Sequence, residues 1–570
     1  MTNRKRRGFA CGIVGAVAVA WVALAPTLLV GSTRPIRARQ AMVVSQDALA
    51  SRVGDQVLRD GGNAVDAAVA TAFALAVTYP TAGNIGGGGF LVYRPAVGDA
   101  VAYDFRETAP ASATPTMFMR GGEYDRRVHH NSHLAVGVPG TVAGLHQAWS
   151  EHGSLSWERL VEPAMTLARE GFVVRDSLAR SLAAVLPRMA DYPASVAQFS
   201  NQGQPYRVGE TLRQPDLART LSRIALQGPA GFYTGETAEL LAAEMAANGG
   251  IMTQADLAAY RAVRRAPMTG TYRGYDIISM PPVSSGGPAL IQMLNVLEGY
   301  DLAASGSGSA ATTHLIIEAM RRAFADRAQN LGDPAFNANM PIDRLISKDY
   351  AAELRLTIDA DRASVSSPDS FSWPVESEET THLSVVDAAR NAVSLTYTLE
   401  QGYGSKITVP GAGFLLNNEM GDFNAAPGLT TQTGLIGTGP NLAEPGKRML
   451  SSMTPTIVAR EGQLVMVTGS PGGRTIINTV LMTILNVVDF GMNIQEAVDA
   501  PRLHHQWLPD QTRYERWGFS PDTLALLGQR GHRMTEIGVQ GAVSAILYNA
   551  EEDILEAAED RRRTSSAIGF

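Results

Sequence analysis

A polar, acidic break near residue 360 constrains the fold of this chain more than any other feature. Residues 359–379 are rich in Ser, Asp and Glu, which predicts an exposed connector. Before it, apolar residues recur at helical spacing, and the nearly all-apolar stretch after Asn63 predicts a buried helix. Further helices are predicted around Ser156–Glu170, Pro215–Leu226, Glu236–Asn248, Pro288–Leu297 and Thr312–Leu331. The pattern indicates mixed α and β structure and leaves open whether the connector separates two domains.

Two alternating, β-branched stretches follow the connector directly. Residues 380–386 and 392–399 read as strands, and residues 387–391 supply turn residues between them. A hairpin symmetric about Ala389 would place Thr380 opposite Thr398, with Cβ atoms about 4.5–5.5 Å apart. Two hydroxyl groups would then share one face at the open end of the hairpin. Taken alone, such a pair is an ordinary feature of strands.

The N-terminal segment has the layout of an export signal. Arg4–Arg7 is basic, and an uncharged apolar run extends from Gly8 to Val30. Because that run approaches the length of a membrane span, we expect residues 1–32 to be a cleaved signal peptide or a retained anchor of a periplasmic or cell-surface protein. The single cysteine, Cys11, lies in this segment, so the mature chain would contain no disulfide. A net charge of -7 argues against nucleic-acid binding.

An ordered set of unusual motifs runs from about Ala41 to the C-terminus. It comprises GGNAVDAAVA, AGNIGGGGF, DFRETAPA, VGVPGTVAG, PPVSSGG, TTHLSVVD, GFLLNNEMGDF, KRMLSSMTPTIV, VTGSPGG and APRLHHQWLPD. Together these motifs resemble the γ-glutamyltransferase family of N-terminal nucleophile hydrolases. The resemblance implies an α+β fold, a four-layer αββα sandwich. Residues 33–379 and 380–570 would be a large and a small fragment of one interwoven core, associated as a heterodimer after self-cleavage.

The resemblance also implies a catalytic arrangement. Self-cleavage between Glu379 and Thr380 would free the α-amine of Thr380. A threonine hydroxyl needs an adjacent base, and an α-amine with a pKa of about 7.7–8 can serve near neutral pH. Thr398 matches the family residue that holds the nucleophile in place, in agreement with the hairpin register. Gly472 and Gly473 match the oxyanion hole, where small residues let backbone N–H groups approach the developing charge.

The remaining matched residues are suited to the two charged ends of a γ-glutamyl group. By resemblance, Arg106 supplies a positive charge and Ser451 and Ser452 supply hydroxyl donors to the carboxylate. By resemblance, the carboxylates of Glu419 and Asp422 receive the ammonium. Glu400 stands where the family commonly has Asn, and a third acid should strengthen the preference for a cation. Three neighbouring acids also repel one another, so that one of them can be protonated.

The expected reaction is acyl transfer from γ-glutamyl amides such as glutathione to water, amino acids or peptides, without a cofactor or a metal ion. Pro427–Gly434 is similar to the lid loop of some family members. Thr433 stands where some members have a tyrosine gate, so the sequence does not predict which acceptor is preferred. His504 and His505 are adjacent on a strand and point to opposite faces, which predicts hydrogen bonding and packing instead of metal binding. Gly86–Gly89 predicts close backbone packing beneath the site.

Two alternatives remain. A glutaryl-type cephalosporin acylase would use the same chemistry on a group that lacks the ammonium. An inactive binding paralogue would be expected to lose Thr380, Thr398 or Arg106, and none is lost. A membrane contact is expected only through the N-terminal segment.

Overall fold

A computed structural model describes residues 33–366, 380–429 and 437–570 of the chain. The predicted leader, Glu379 and Thr433 lie outside these ranges. Within them, none of the helices combines the length and the apolar character that crossing a bilayer requires.

The helices of the described part coincide with the apolar periodicity of the sequence, and the five predicted segments correspond to α5, α8, α10, α12 and α14 in the following series. They are α1 (Ala48–Arg59), α2 (Ala64–Thr78), α3 (Arg126–His130), α4 (Thr141–His152), α5 (Trp157–Glu170), α6 (Asp176–Val185), α7 (Pro193–Phe199), α8 (Pro215–Gln227), α9 (Ala230–Tyr233), α10 (Gly235–Ala247), α11 (Gln254–Ala259), α12 (Gly286–Leu297), α13 (Leu302–Ser305), α14 (Ala310–Asn330), α15 (Ile342–Leu345), α16 (Lys348–Leu356), α17 (Thr475–Val488), α18 (Ile494–Asp499) and α19 (Pro521–Gln529).

The strands are mostly short. They are β1 (Ile36–Ala38), β2 (Met42–Ser45), β3 (Gly88–Arg94), β4 (Val101–Phe105), β5 (Met119–Arg120), β6 (Glu123–Tyr124), β7 (Phe172–Val173), β8 (Thr211–Leu212), β9 (Val263–Arg265), β10 (Met268–Tyr272), β11 (Tyr275–Ser279), β12 (Thr381–Val386), β13 (Ala392–Thr398), β14 (Thr456–Arg460), β15 (Gln463–Gly469), β16 (Leu503–His504), β17 (Thr512–Glu515), β18 (Met534–Ile537), β19 (Ser544–Asn549), β20 (Ile554–Glu559) and β21 (Ser566–Gly569).

Two seven-stranded sheets dominate the fold. The first has the order β1-β20-β19-β15-β14-β11-β10, and the second has the order β21-β2-β12-β13-β3-β4-β9. Every pairing within these two sheets is antiparallel. Both sheets contain strands from before and after residue 380, so the two parts of the chain form one compact unit.

Helices cover the outer face of each sheet. The helix α2 is capped by Asn63, whose side chain accepts hydrogen bonds from the N–H groups of Val65 and Asp66, and all of its residues are buried. It packs with α1 and α4 against the second sheet, α5 packs on α2, and α8 packs on α5. On the other side, α12 and α17 pack against the first sheet, and α14 packs on α12. The result is the predicted four-layer αββα sandwich.

The contact between the two sheets is polar at its centre. Ser384 Oγ of β12 donates to Ser544 O across the layers at 2.9 Å. His382 lies beside it, with Nδ1 2.7 Å from Thr396 Oγ1 and Nε2 3.1 Å from Ser384 Oγ. Burial lowers the pKa of His382 to about 3, so its imidazole is neutral. Hydroxyl groups therefore satisfy a buried ring that carries no charge.

The start of the connector is attached to the fold more firmly than its composition predicts. Residues 359–362 are exposed, as expected, but Ser366 is buried. Its N–H donates to Asp510 Oδ2 at 2.9 Å, and the N–H of Ser364 donates to Glu318 Oε1 at 3.2 Å. The prediction of a poorly packed connector is therefore wrong for Ser364 and Ser366, because the buried Glu318 and the half-buried Asp510 hold their backbone. Residues 367–379 lie outside the described ranges.

Candidate active site

The hairpin formed by β12 and β13 has the register expected from the sequence. Thr381 pairs with Tyr397 and Ser384 pairs with Ser394, which places Thr380 opposite Thr398. Thr380 Oγ1 donates to Thr398 Oγ1 at 3.4 Å, and Thr398 Oγ1 also accepts the N–H of Glu400 at 2.9 Å. Both threonines are buried. The predicted pairing of the two hydroxyl groups is confirmed.

Glycines at and just before the start of β3 bring the neighbouring backbone close to this hairpin. Gly88 pairs with Thr398 in the ladder between β3 and β13. A Cβ atom at Gly87 would lie 2.1 Å from Thr398 O, and one at Gly88 would lie 2.7 Å from Glu107 Oε2. No side chain larger than hydrogen fits at these distances. The glycine run therefore permits close packing beneath the site, as predicted.

A single small cavity of about 20 Å³ brings most of the predicted site residues together. Its walls include both threonines, the charged residues and the serines, namely Arg106, Thr380, Thr398, Glu400, Glu419, Asp422, Ser451, Ser452, Met453, Gly473 and Ile476. Of the residues named from sequence, Gly472 directly precedes one of these, and Glu379 lies outside the described ranges. The apolar Met453 and Ile476 were missed; each lies within or just after a motif used for the resemblance.

Gly472 and Gly473 lie in the turn between β15 and α17. Their φ angles are 133° and 53°, in the region that favours glycine. Neither N–H group donates a hydrogen bond to another described residue. Both stand just before the first turn of α17, where the partial positive charge of a helix N-terminus favours an anion. Their assignment to an oxyanion hole stays a prediction.

Arg106, which follows β4 directly, is paired with the two acids predicted for the substrate ammonium. Its Nη1 lies 2.5 Å from Glu419 Oε2, and its Nη2 forms an ion pair with Asp422 Oδ2. Its Nε donates to Met449 O at 3.3 Å. The guanidinium is 1% exposed. The residues matched to opposite ends of the substrate thus contact one another.

A fourth acid belongs to this group and was missed from the sequence. Glu107 follows Arg106 in the chain, and its Oε2 lies 3.7 Å from Arg106 Nη1. Burial raises the pKa of Glu107, and Arg106 only partly offsets that effect. Burial also raises the pKa of Glu419 well above its usual range. The positive charge of Arg106 opposes this shift, and the negative charges of Glu107 and Asp422 add to it. Crowded, buried acids around one arginine therefore favour protonation within the group.

Glu400 connects the hairpin to the charged wall of the cavity, which is formed by Arg106, Glu419 and Asp422. Its φ angle is 78°, a left-handed conformation that Asn adopts more readily than Glu, which gives a physical reason for the Asn common in the resembling family. Asn418 Nδ2 donates to Glu400 Oε2, and His130 Nδ1 lies 3.9 Å from Glu400 Oε1. The carboxylate is thus fixed at the edge of the cavity.

The histidines singled out from the sequence form hydrogen bonds, as predicted. His504 Nδ1 lies 2.6 Å from Asn478 Oδ1, and His505 Nε2 lies 3.2 Å from Asp510 Oδ1. A different group, His314, Glu318 and His532, brings metal-ligand atoms within 4.8 Å of one another. Its atoms are engaged in protein contacts: His314 Nδ1 lies 2.7 Å from His532 Nε2. Glu318 pairs with two arginines, Arg321 and Arg322.

Comparison with known proteins agrees with this geometry. The γ-glutamyltranspeptidase family matches residues 50–570. The glutathione hydrolase proenzyme of Escherichia coli K12 is 47% identical, over 94% of this chain and 93% of that protein. The cephalosporin acylase of Bacillus halodurans has a TM-score of 0.84 at 27% identity, covering 95% of this chain and 97% of that one. Helicobacter pylori γ-glutamyltranspeptidase has a TM-score of 0.56 at 45% identity, covering 58% of this chain and 94% of that one.

A four-layer sandwich with a threonine hairpin at its centre is the fold of the N-terminal nucleophile hydrolases. The match over residues 50–570 shows that this chain belongs to the γ-glutamyltranspeptidase family. It is therefore an enzyme of the γ-glutamyl hydrolase and transferase class, and the family predicted from the motifs is confirmed.

Proposed function

We propose that this chain is a precursor that cleaves itself between Glu379 and Thr380 to generate its own catalytic base. The related Escherichia coli protein is named a proenzyme, which supports processing. Before cleavage the nitrogen of Thr380 is an amide without useful basicity. Afterwards it is an α-amine with a reference pKa of about 7.7–8 beside the Thr380 hydroxyl. Residues 33–379 and 380–570 then remain together as a heterodimer, consistent with their shared sheets.

In the proposed reaction Thr380 Oγ1 attacks the carbonyl carbon of a γ-glutamyl amide. The α-amine takes the hydroxyl proton and passes it to the departing amine, which leaves an ester between Thr380 and the γ-glutamyl group. Thr398 Oγ1, 3.4 Å from Thr380 Oγ1, orients the nucleophile. The N–H groups of Gly472 and Gly473 stabilise the oxyanion, each worth about 2.7–4 kcal/mol. Water, an amino acid or a peptide then accepts the acyl group.

Recognition of the zwitterionic head follows from the charges of the cavity. The α-carboxylate pairs with Arg106, and the α-ammonium pairs with Glu419 and Asp422. In the described structure Arg106 is instead paired with Glu419 and Asp422. A head group with one positive and one negative charge can insert into this ion pair and leave the local net charge unchanged. A substrate with a single charge cannot, and it would leave a buried charge without compensation.

The observation that carries this proposal is the convergence of nine predicted residues on one cavity around Thr380. The decisive assay measures kcat/KM for γ-glutamyl and glutaryl anilides with purified protein. A denaturing gel and N-terminal sequencing of the smaller fragment accompany it. We expect two bands, a fragment that begins Thr-Thr-His-Leu, and preference for the γ-glutamyl compound. A fully active single band would refute the processing step.

Glutaryl-type acylase activity is the second candidate, because the Bacillus halodurans acylase shares the fold over 95% of this chain. A glutaryl group lacks the ammonium, so it offers no cation to the buried Glu419 or to Glu400. These acids therefore favour the γ-glutamyl substrate. Equal or faster turnover of the glutaryl anilide would make the acylase assignment the better one.

The N-terminal segment supports export of this enzyme to the periplasm or the cell surface. The basic residues Arg4–Arg7 and the apolar run after them are the basis of this part of the proposal. Glutathione is the donor class with the most direct chemical fit, since it carries a γ-glutamyl amide with both charged groups. Mass measurement of protein purified from the periplasm would show whether residues 1–32 are removed.

A further inference from the structure

Arg327 lies in the last turn of α14, directly behind the two serines of the cavity. It is 1% exposed and does not line the cavity itself. Its Nη2 donates to Ser452 Oγ at 2.8 Å, and its Nε donates to Ser285 Oγ at 2.6 Å. A buried side chain that is always positively charged therefore contacts a hydroxyl group of the cavity wall without lining the cavity itself.

The direction of these hydrogen bonds determines what the hydroxyl groups can offer. A guanidinium group only donates, so Ser452 Oγ accepts from it with a lone pair. Ser451 Oγ likewise accepts the N–H of Met453 at 3.2 Å. Each serine thus accepts a hydrogen bond from the protein, which orients its hydroxyl group in the wall of the cavity. A hydroxyl group oriented in this way is suited to contact the carboxylate that the proposed function places here.

The second arm of Arg327 acts on the backbone of the same segment. Ser285 Oγ accepts from Arg327 Nε and donates to Ser451 O at 2.6 Å. The N–H of Ser285 donates to the same carbonyl oxygen at 2.8 Å. Arg327 therefore fixes the side chain of Ser452 directly and the main chain of Ser451 through Ser285.

We propose that Arg327 is a positioning residue for the α-carboxylate of the donor substrate. It holds the hydroxyl groups of Ser451 and Ser452 as paired donors and adds a second positive charge behind them, apart from Arg106. This inference rests on the proposed function, because it assigns the carboxylate to these serines. It makes Arg327 a determinant of donor binding, with little influence on the chemical step at Thr380.

The test compares Arg327→Gln and Arg327→Lys with Arg321→Gln, all processed to the same extent on a gel. Arg321 is a matched control, since it is a buried, ion-paired arginine of α14 that contacts Glu318 and Asp510. We expect Arg327→Gln to raise KM for a γ-glutamyl anilide roughly 10- to 100-fold, the range of one charge-assisted hydrogen bond, with kcat within about threefold. The lysine variant should recover part of the loss, because one ammonium can reach only one serine at a time.

A double-variant cycle separates positioning from general stability. If Arg327 acts through Ser452, then Arg327→Gln combined with Ser452→Ala should raise KM no more than the larger single effect. Additive effects, an unchanged KM, or an equal rise in Arg321→Gln would overturn the inference. Wild-type protein without γ-glutamyl turnover would instead refute the proposed function. If the glutamine variant fails to fold, the lysine variant and Ser452→Ala still decide the outcome.

Discussion

The two sides of the cavity are held in place by different forces. Thr380 and Thr398 belong to a hairpin whose strands are paired on both flanks, by β2 on one side and β3 on the other. Arg106, Glu419 and Asp422 follow strand ends or lie in a single helical turn, and they are held by one another's charges. Backbone ladders fix the first side, and ion pairs fix the second.

Because of this difference, the geometry of the charged side depends on protonation and bound charges, and the geometry of the hairpin does not. The two strands of the hairpin contain two buried titratable rings, His382 and Tyr397. Burial lowers the pKa of His382 and raises the pKa of Tyr397, so both rings are neutral over the physiological range. The geometry of the hairpin is therefore insensitive to moderate changes of pH or of bound ligand. If the proposed function holds, Arg106 and its acids must rearrange when a substrate replaces their contacts with one another. Substitutions in the hairpin should thus affect self-cleavage and turnover together, whereas substitutions in the wall should affect turnover alone.

The largest effect is expected for Thr380→Ala. Loss of the proposed nucleophile should abolish self-cleavage and lower turnover on the order of 10⁶-fold. Thr381→Val is the matched control, because Thr381 Oγ1 is buried without a hydrogen-bond partner among the described residues. The valine variant should mature normally. Two bands on a denaturing gel of the alanine variant would show that self-cleavage does not need Thr380, which contradicts the prediction.

Arg106→Gln should lower kcat/KM on the order of 10²- to 10³-fold, because the buried acids lose their cation. Self-cleavage should proceed to the wild-type extent, since the hairpin does not use Arg106. The control is Arg265→Gln, which removes an ion pair to Asp104 away from the cavity. A gel and an anilide assay on the same preparations measure both properties. Impaired maturation in Arg106→Gln would show that the two sides are coupled.

His382→Gln should reduce the pH dependence of stability. The folded-state pKa of about 3 lies below the ordinary 6.5, so the stability that neutral His382 contributes is complete above pH 6.5 and is lost as the pH falls towards 3. Between these limits the wild type should lose about 1.4 kcal/mol more per pH unit than the variant. Urea unfolding at pH 7 and pH 5 measures this, in the Thr380→Ala background so that a single chain unfolds. Parallel losses in both proteins would contradict the assigned burial.

Glu400→Asn should have the smallest effect, a drop of about tenfold in the preference for γ-glutamyl over glutaryl anilides. A negative charge near the ammonium is lost, while Asn418 and Thr398 keep partners at that position. The asparagine variant should also be slightly more stable, because Asn tolerates the φ angle of 78° better. Glu400→Gln isolates the charge, since it keeps the length of the side chain. Unchanged selectivity in both variants would place the ammonium site elsewhere.

The two sides also differ in how far they could be predicted from the sequence. The hairpin register follows from alternation and turn position, because strand pairing is local and has a period of two. The meeting of Arg106 with Glu419 and Asp422 depends on contacts across more than 300 positions, and only family resemblance indicated that the three residues share a site. Resemblance named these residues, but it did not reveal that they pair with each other or that Glu107 joins them. Arg327 belongs to no quoted motif, so only the folded structure shows it behind Ser452.

The interleaving of strands has a consequence for the mature protein in solution. β12, which would begin the smaller fragment, is hydrogen-bonded to β2 of the larger one, and β13 is hydrogen-bonded to β3. Separating the fragments would require breaking both seven-stranded sheets, so their association should be insensitive to dilution. Two differently tagged mature preparations, mixed at low concentration, should keep their original partners for as long as they stay folded. Loss of one fragment should therefore coincide with global unfolding.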